Sequence, residues 1–402
     1  MDILESLFSL KGDPVCADED VIDEDGSASE NDENGDDVAL KPSAIIPKKR
    51  AKILPSALPT THANRRNRPE RGKFTILDGV EVAAPDEILD LDFTPDLLQK
   101  IFQDSRIGIQ FLARYGIIPN TRECRIESCP KEQLMSLIKH ANGYVWRCRS
   151  CRKRRERRVI TKISVYEGTF LFYSRMPLNK FFIFMLIWCE NPGCTVQEYN
   201  RLLGEFRLVE ETIHNTIGFI RDHIQSWCSL QSSKLPIGGE GQIVELLETL
   251  HTDEVSSKHR NRRARQFTMR LVMICWKTDE IVIAELPNNN LSHERLYSTI
   301  ITHINEKSTV VMRDSLMQKF GEQEHLQELF DTRYSIKTIA DVWEEMDWAE
   351  KDKQYVKTMM ESASSPNEPF AYEYYFRRTF MNRPFNHLLK AIRQLYTKSK
   401  SK

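Results

Sequence analysis

The chain reads CRIESC over residues 124–129 and YVWRCRSCRKRRERR over residues 144–158. Two close pairs of cysteines, eighteen residues apart, stand in these segments: Cys124, Cys129, Cys148 and Cys151. Four thiolates at this spacing can converge on one tetrahedral zinc ion, with each pair closing a tight loop. The alternative is four unrelated core thiols, which is disfavoured because an Arg-Ser dipeptide, not apolar residues, separates the second pair. The sequence therefore predicts a structural zinc site.

Cations crowd the second cysteine pair. Eight basic residues fall within twelve positions: Arg147, Arg149, Arg152, Lys153, Arg154, Arg155, Arg157 and Arg158. A zinc-stabilised loop with this charge density is suited to lie against phosphates. The alternative is a solvated charged face with no ligand. We predict that these residues bind double-stranded DNA.

The formal net charge of -1 conceals two oppositely charged parts of the 402-residue chain. Residues 1–46 carry fourteen Asp or Glu against two Lys, so the remainder is basic by +11. Eleven of these acids lie between Asp18 and Asp37 with no base among them. Such a segment cannot bury enough apolar surface to offset chain entropy, and residues 1–75 are predicted to be disordered. The acidic part suits either a nucleic-acid binder with a competing arm or a plain solubilising tail.

Short basic clusters follow the acidic segment, at residues 47–52 (PKKRAK) and 65–68 (RRNR). Such clusters are typical of nuclear import signals or of contacts to the DNA backbone. Nine cysteines without a signal peptide favour a reducing compartment and zinc ligation over disulfides. No apolar stretch approaches the roughly twenty residues needed to cross a bilayer. We expect a soluble nuclear protein without a membrane partner.

Apolar periodicity predicts helices before and after the cysteine-rich segment. A helical lead-in spans Thr94 to Tyr115, a β-rich stretch with a turn at Gly168 spans Val159 to Tyr173, and a helix spans Pro177 to Cys189. Two further helices are predicted at about 195–203 and 209–227, with a capping box at Thr195. They suit a helix-turn-helix element or, equally, a plain helical hairpin.

Beyond Gly238-Gly239 the pattern alternates between strands and helices. The predicted elements are strands at Thr249–Glu254, Phe267–Trp276, Glu280–Leu286 and Thr309–Arg313, and an amphipathic helix at Leu291–Ile304. This order is typical of a mixed sheet with helices packed on it, so the predicted class is α/β (α+β).

Two acids end predicted strands. Asp253 follows an apolar run and precedes a basic loop, and Asp314 follows the run from Ser308 to Arg313. Carboxylates at the ends of neighbouring strands could hold the Mg²⁺ ions of a two-metal phosphodiester-cleaving site. The alternative is that each Asp only caps a strand or the following helix.

Several motifs in order resemble transposases of the Merlin superfamily and the related ISXO-like insertion-sequence enzymes, over roughly residues 120–395. The residues that carry the resemblance are Val145 to Lys153, Gly168-Thr169-Phe170 with Ser174, Pro177 and Leu178, Gly238 to Gly241, Asp253-Glu254, Val310 to Asp314, and Tyr372 to Arg378. The resemblance implies an RNase H-like core with a DDE-type acidic triad, preceded by a zinc ribbon and helical DNA-binding elements.

The resemblance implies catalytic roles for Asp253, Asp314 and Glu361. Two alignments to the family place the first acid differently. An ungapped match from Gly238 puts Leu247 at the position of that acid, whereas an alignment with a short insertion puts Asp253 there. The second is preferred because the basic loop follows Asp253 at the family's distance and the interval to Asp314 also fits. The Asn-His pair and glutamate helix that the family carries are missing, and Glu344 or Glu345 could replace Glu361 as the third acid. Losing one ligand would weaken Mg²⁺ binding and turnover.

The predicted domains are a tail (1–75), a lead-in with zinc ribbon (76–158), a β-hairpin with a helix-turn-helix-like region (159–235), an RNase H-like transposase domain (236–395) and a basic tail (396–402). Two functions compete: a transposase-derived DNA-binding protein without catalysis, and an active cut-and-paste transposase. A third, a protein-interaction scaffold that has also lost DNA binding, is disfavoured by the retained zinc ribbon and its charge. The first two functions require structural Zn²⁺, and only the second requires Mg²⁺. Joining two transposon ends would require at least a homodimer.

Overall fold

A computed structural model describes residues 73–77, 79–124, 129, 134–140, 143–148, 151, 162–172, 174–254, 265–286, 293–313, 316–317, 328, 332–343, 354 and 370–398. Of the tail predicted over residues 1–75, only its last three residues are among them. Lys73–Lys402 belongs to one compact unit.

The helical lead-in consists of two helices, not one continuous pattern. They are α1 (Pro95–Gln103) and α2 (Ser105–Arg114). The chain breaks at Asp104, whose carboxylate accepts hydrogen bonds from the backbone N–H groups of Arg106 and Ile107 and so caps α2. A side chain that competes for the backbone in this way favours a helix start over a helix interior.

A small antiparallel sheet follows, with strands β1 (Ser136–His140), β2 (Gly143–Arg147) and β3 (Lys162–Ser164) in sequence order. Its inner face is built on the fully buried Trp146. Of the β-rich stretch predicted over 159–173, the structure describes residues 162–172, in which β3 is followed by turns. Gly168 lies in one of these turns with φ of 73°, which confirms the predicted turn.

Three helices come next: α3 (Leu178–Glu190), α4 (Val196–Leu203) and α5 (Glu210–Gln231). The predicted capping box is confirmed, since Thr195 and Glu198 exchange side-chain-to-backbone hydrogen bonds at the start of α4. Gly204 ends α4 with φ of 58° and opens a short 3-10 turn. The two predicted helices of the helix-turn-helix-like region are therefore present.

The second half forms a five-stranded mixed sheet in the order β6-β5-β4-β7-β8. Its strands are β4 (Ile243–Glu254), β5 (Arg265–Cys275), β6 (Ile281–Leu286), β7 (Thr309–Met312) and β8 (Ser335–Thr338). The first three pair antiparallel, and β7 and β8 run parallel to β4. The predicted α/β class with a mixed sheet and helices is confirmed. Two details differ: β4 begins six residues before the predicted strand, and β8 was not predicted.

The second half also contains, among its described residues, the helices α6 (His293–His303), α7 (Ile339–Trp343), α8 (Phe370–Thr379) and α9 (Pro384–Lys398). Alternating residues of β4 point to opposite faces of the sheet, so Leu246 and Leu247 enter two different cores. The core that contains Leu247 also contains α8 and α9, and the core that contains Leu246 also contains α6.

One core joins most of the predicted domains. It runs from Ile76 through Trp146 and the helices α3 and α5 to Ile392 in α9. The strand β3 pairs with β2 across the predicted boundary at residue 158. In the described part of the chain, the predicted boundaries at 158 and 235 therefore separate segments that share a core.

A buried ion-pair cluster lies inside this core. Glu373 on α8 accepts hydrogen bonds from the Nε atoms of Arg377, at 2.8 Å, and Arg221 on α5, at 2.6 Å. Arg377 also donates to the carbonyls of Trp188 and Cys189 at the end of α3. Burial alone would raise the pKa of Glu373, but the two guanidinium groups outweigh it and hold that pKa below its ordinary value.

We expect Glu373→Gln to destabilise the fold by about 3–5 kcal/mol, because it leaves two cations, Arg377 fully buried and Arg221 largely so, without their counter-charge. Glu285→Gln is the matched control: its carboxylate is 62% exposed and pairs with Arg270, so the expected loss is at most about 1 kcal/mol. Urea unfolding measures both.

The Glu373 effect should depend on pH in a defined direction. Because its folded-state pKa is lowered, the stabilisation is complete above the unfolded pKa of about 4.3 and is lost as pH falls through the folded value. The difference in the free energy of unfolding between wild type and Glu373→Gln should therefore become smaller at acid pH. A gap that is independent of pH down to the acid transition would contradict the ionised pair.

Candidate metal centre and predicted catalytic acids

Four cysteine sulfurs converge between the small sheet and the helices. The Sγ atoms of Cys124 and Cys151 are 3.7 Å apart, and those of Cys129 and Cys148 are 3.6 Å apart. All four Sγ atoms lie within 4.8 Å of one another. A tetrahedral zinc ion about 2.3 Å from each sulfur sets the sulfurs about 3.8 Å apart. The four residues could therefore bind a structural metal such as zinc.

The small sheet brings the two cysteine pairs together. Cys124 directly follows Glu123, which forms an isolated β-bridge with Leu134. Leu134 lies just before β1. Cys148 directly follows β2, whose residue Trp146 is fully buried and fixes the end of the strand. Cys129, Cys148 and Cys151 are buried, and Cys124 is half-buried. Four protein sulfurs complete a tetrahedron, which is typical of a structural zinc site, not a catalytic one.

Burial and the contacts among these thiols raise the pKa of some of them and lower the pKa of another. Burial raises the pKa of Cys129 to about 11 and raises that of Cys151 as well. Burial also acts on Cys148, but hydrogen bonds from the Cys151 backbone and the neighbouring thiols outweigh it and lower the Cys148 pKa. Metal binding would therefore expel protons from thiols that are otherwise protonated at neutral pH.

Of the eight predicted DNA-binding residues, Arg147 at the end of β2 is the one that the structure describes. The other seven lie outside the described residues: Arg149, Arg152, Lys153, Arg154, Arg155, Arg157 and Arg158. All seven belong to the connection between β2 and β3, so the chain carries them next to the cysteine cluster. Their DNA-binding role stays a prediction.

The predicted catalytic acids are mostly outside the described residues. This applies to Asp314 and Glu361 and to the alternatives Glu344 and Glu345. Asp253 lies in the last part of β4, where its backbone pairs with Gln266 of β5. No third acid can be assigned among the described residues near these positions, and the triad stays a prediction.

The strand register weighs against Asp253 as the partner of Asp314. The pairing of β4 with β7 ends at Glu245 and Val311. Asp253 lies eight residues beyond Glu245, about 26 Å further along the strand. Asp314 is three residues beyond Val311, a length of chain that spans at most about 11 Å. In a two-metal site the two ions lie about 4 Å apart, so two acids that share them must lie close together.

The pairing of β4 with β7 ends at Glu245, two residues before Leu247, the residue that the ungapped match puts in place of the first acid. Leu247 is buried in the core beneath α8. The choice between Leu247 and Asp253 as the position of the first acid stays a prediction.

A buried polar cluster next to Leu247 was not predicted from the sequence. Glu245 is fully buried; its Oε2 accepts hydrogen bonds from Trp276 Nε1, at 2.8 Å, and from the Tyr374 hydroxyl, at 2.9 Å. An Arg378 guanidinium nitrogen is 3.7 Å from the same oxygen. Burial raises the pKa of Glu245 despite these partners. The Glu and Arg of this cluster are separated by more than a hundred residues, so no local spacing indicates the pair.

Replacing both Cys148 and Cys151 with Ser should remove about one zinc ion per chain, as measured by elemental analysis of purified protein. Cys194→Ser is the control, because Cys194 is outside the cluster and half-exposed. With Co²⁺ as the probe, wild type should show the bands of a tetrahedral thiolate site, and Cys148→Ser alone should shift them. Unchanged zinc content in the double variant would exclude the cluster as the metal site.

In the described helices, none is both long and apolar enough to cross a membrane. A comparison with models of known protein families finds no match for this chain. The chain is 59% identical over 334 residues to the Male abnormal protein mab-31 of Caenorhabditis elegans. The alignment covers 83% of this chain and 78% of that protein. At this identity and coverage, the chain belongs to the family of Male abnormal protein mab-31.

Proposed function

We propose that this protein is a transposase-derived DNA-binding protein whose RNase H-like domain no longer cleaves DNA. In this proposal a zinc ribbon formed by β1, β2 and β3 carries the DNA-binding cations. The five-stranded sheet is then the remnant of a Merlin or ISXO-like catalytic domain. The observation that carries the proposal is the combination of a four-cysteine cluster with a β2–β3 connection that contains seven cations.

The strand order supports an RNase H-like domain. Numbered from β4, the order β6-β5-β4-β7-β8 is 3-2-1-4-5, with the second strand antiparallel to the first and the last two parallel to it. This is the strand order of the RNase H-like fold, which the sequence resemblance also implies. Strand order alone does not establish activity, because one fold supports many functions.

The charge of the small sheet supports its role in binding DNA. Its three strands contain no Asp or Glu, while Lys139, His140, Arg147 and Lys162 are basic. The connection between β2 and β3 adds seven cations and one acid, Glu156. Phosphate contacts from such a cluster supply affinity without sequence specificity. The proposed partner is therefore the backbone of double-stranded DNA.

The helix pair α4–α5 is a weaker candidate for DNA contact. In a helix-turn-helix element, the N-terminal end of the second helix reads the major groove. Here the first turn of α5 carries Glu210 and Glu211, both exposed, which would repel phosphates. The Asn200 side chain bonds both the N–H and the carbonyl of Leu208, which fixes the turn as part of the fold. These features favour the helical-hairpin alternative.

The residues in the middle of strand β4 support the proposed loss of catalysis. Two-metal cleavage needs carboxylates that reach a site open to DNA and Mg²⁺. Leu247 is buried at the position that the ungapped match assigns to the first acid, and Glu245, two residues earlier, is committed to Trp276 and Tyr374. The alternative proposal, an active cut-and-paste transposase with Asp253, Asp314 and Glu361, requires a large departure from the observed register.

Nuclear localisation and dimerisation belong to the same proposal. The basic clusters at 47–52 and 65–68 would serve as import signals, and a DNA-binding descendant of a transposase would act where DNA is. A homodimer would be retained if the ancestral pairing of two DNA ends is retained.

The DNA-binding test replaces Arg152, Lys153, Arg154 and Arg155 with Gln in the full chain. Removing four phosphate contacts should reduce the slope of log affinity against log salt by about 3.6 and weaken binding to a 20-base-pair duplex at any sequence. Fluorescence anisotropy over a salt series measures both quantities.

The matched control replaces four exposed cations elsewhere: Arg201, Arg207, Lys234 and Lys277. It removes the same charge from the helix pair and the loops, so the affinity should change much less. Equal losses in the two variants would mean that total charge, not the β2–β3 connection, determines binding, and would contradict the assigned surface.

The catalytic test is nicking of labelled DNA in Mg²⁺ or Mn²⁺, with a substrate that carries terminal repeats of related elements. We expect binding without cleavage. Metal-dependent cleavage that disappears in Asp314→Ala would instead establish the active transposase and overturn the proposed loss.

A further inference from the structure

The two sulfur contacts of the cysteine cluster differ in their exposure to solvent. The contact between Cys124 and Cys151, at 3.7 Å, is partly buried, whereas the contact between Cys129 and Cys148, at 3.6 Å, is buried. Cys124 is half-buried, and the other three cysteines of the cluster are buried. A small oxidant that arrives from solvent therefore meets the Sγ atom of Cys124 before it meets the other three sulfurs.

Each of these contacts joins one loop of the cluster to the other. Cys124 and Cys129 belong to the first loop, and Cys148 and Cys151 belong to the second. The sulfurs of a disulfide bond lie about 2.05 Å apart, so each contact would have to shorten by about 1.6 Å to become one. Disulfide bonds formed in this way would hold the two loops together without a metal, whereas a bond between Cys148 and Cys151 would not.

Metal ligation keeps sulfurs in the form that reacts with oxidants. A thiolate, not a thiol, binds zinc and attacks an electrophile. The cysteines most susceptible to oxidation are thiolates that are accessible to solvent and lie beside a second cysteine. Of the cysteines that the structure describes, Cys124 and Cys194 are the two that are not buried, and only Cys124 belongs to the cluster. Cys124 therefore combines accessibility, metal ligation and a neighbouring sulfur.

We propose that Cys124 is the site at which a hydroperoxide oxidises the cluster, and that Cys151 then forms a disulfide bond with it. The Cys124 thiolate attacks one oxygen of hydrogen peroxide and the O–O bond breaks, which leaves a sulfenic acid on Cys124 and releases a hydroxide ion. The Cys151 thiolate then attacks the Cys124 sulfur, the S–O bond breaks, and a second hydroxide ion leaves. In total the two thiolates lose two electrons, and hydrogen peroxide gains them.

The disulfide bond lowers the affinity of the cluster for zinc, because two of the four sulfur ligands are lost. The buried pair Cys129 and Cys148 reacts more slowly with a second equivalent of peroxide. Thiol–disulfide exchange with a small thiol regenerates both thiolates and with them the metal site. The proposal rests on the zinc ribbon of the proposed function, but it does not rest on DNA binding.

Zinc release and disulfide mapping test the proposal in the full chain. Zinc-loaded protein is treated with hydrogen peroxide, a chromogenic chelator reports the released zinc, and the protein is alkylated and digested with trypsin. Cleavage after Arg125, Lys131 and Arg149 places the four cysteines in four different peptides, so every pairing can be distinguished. We expect release of about one zinc ion per chain together with a link between Cys124 and Cys151, and dithiothreitol should restore zinc binding.

The variant Cys124→His separates the site of oxidation from the metal site. Histidine replaces cysteine as a ligand in Cys₃His zinc sites, so this variant should keep its zinc and release it about tenfold more slowly at the same peroxide concentration. Cys194→Ser is the matched control and should release zinc at the wild-type rate, because Cys194 lies outside the cluster. Equal release rates in Cys124→His and wild type would overturn the assignment of Cys124.

A measurement on the unaltered chain decides the matter if the histidine variant loses its zinc. Dimedone, which captures sulfenic acids, should label Cys124 ahead of the other cysteines when peroxide is substoichiometric. Labelling that begins at another cysteine, or a link between Cys148 and Cys151 in place of the link from Cys124 to Cys151, overturns the proposal. Purified protein that holds no zinc overturns the zinc ribbon and this proposal with it, whereas a failure to bind DNA overturns the proposed function and leaves the oxidation result to stand.

Discussion

Arg377 lies where three helices meet, and its bonds make them one core. Its guanidinium donates to the last carbonyls of α3, pairs with Glu373 on its own helix α8, and stacks on the Trp188 ring with 3.8 Å to the ring centroid. Glu373 extends the cluster to Arg221 on α5. A cation at a helix C-terminus also interacts favourably with the helix dipole. Because the same core continues into the small sheet through Trp146, the cysteine cluster is supported by helices from both halves of the chain.

The centre of β4 illustrates how a possible catalytic position can serve stability instead. In a two-metal enzyme, the acid on the first strand must be ionised and exposed to the substrate. Glu245 is fully buried, its pKa is raised by burial, and it accepts hydrogen bonds from Trp276, directly after β5, and from Tyr374 of α8. Leu247 on the same face adds apolar contact beneath α8. The bond from Tyr374 to Glu245 and the apolar contact of Leu247 together hold α8 on the sheet.

The elements that could be predicted are those whose signals are local. The capping box at Thr195, the turn at Gly168, the paired cysteines and four of the five strands of the large sheet all depend on residues close together in sequence. The early start of β4 was missed because Glu245 interrupts its apolar run, and the groups that partner this carboxylate in the core, Trp276, Tyr374 and Arg378, are all remote in sequence. The break at Asp104 was missed because apolar periodicity continues across it while the cap does not depend on periodicity.

The cations of the chain fall into two groups with different surroundings. One group lies wholly or largely in the interior and consists of Arg221, Arg377 and Arg378. These cations pair with carboxylates of the same core, so their charge is neutralised within the fold. The segment from β1 to β3, residues 136–164, contains one acid, Glu156. Outside the first 46 residues the chain carries an excess of +11. In the proposed function, the phosphates of DNA neutralise this excess, and the number of cations that contact them sets how steeply binding weakens with salt.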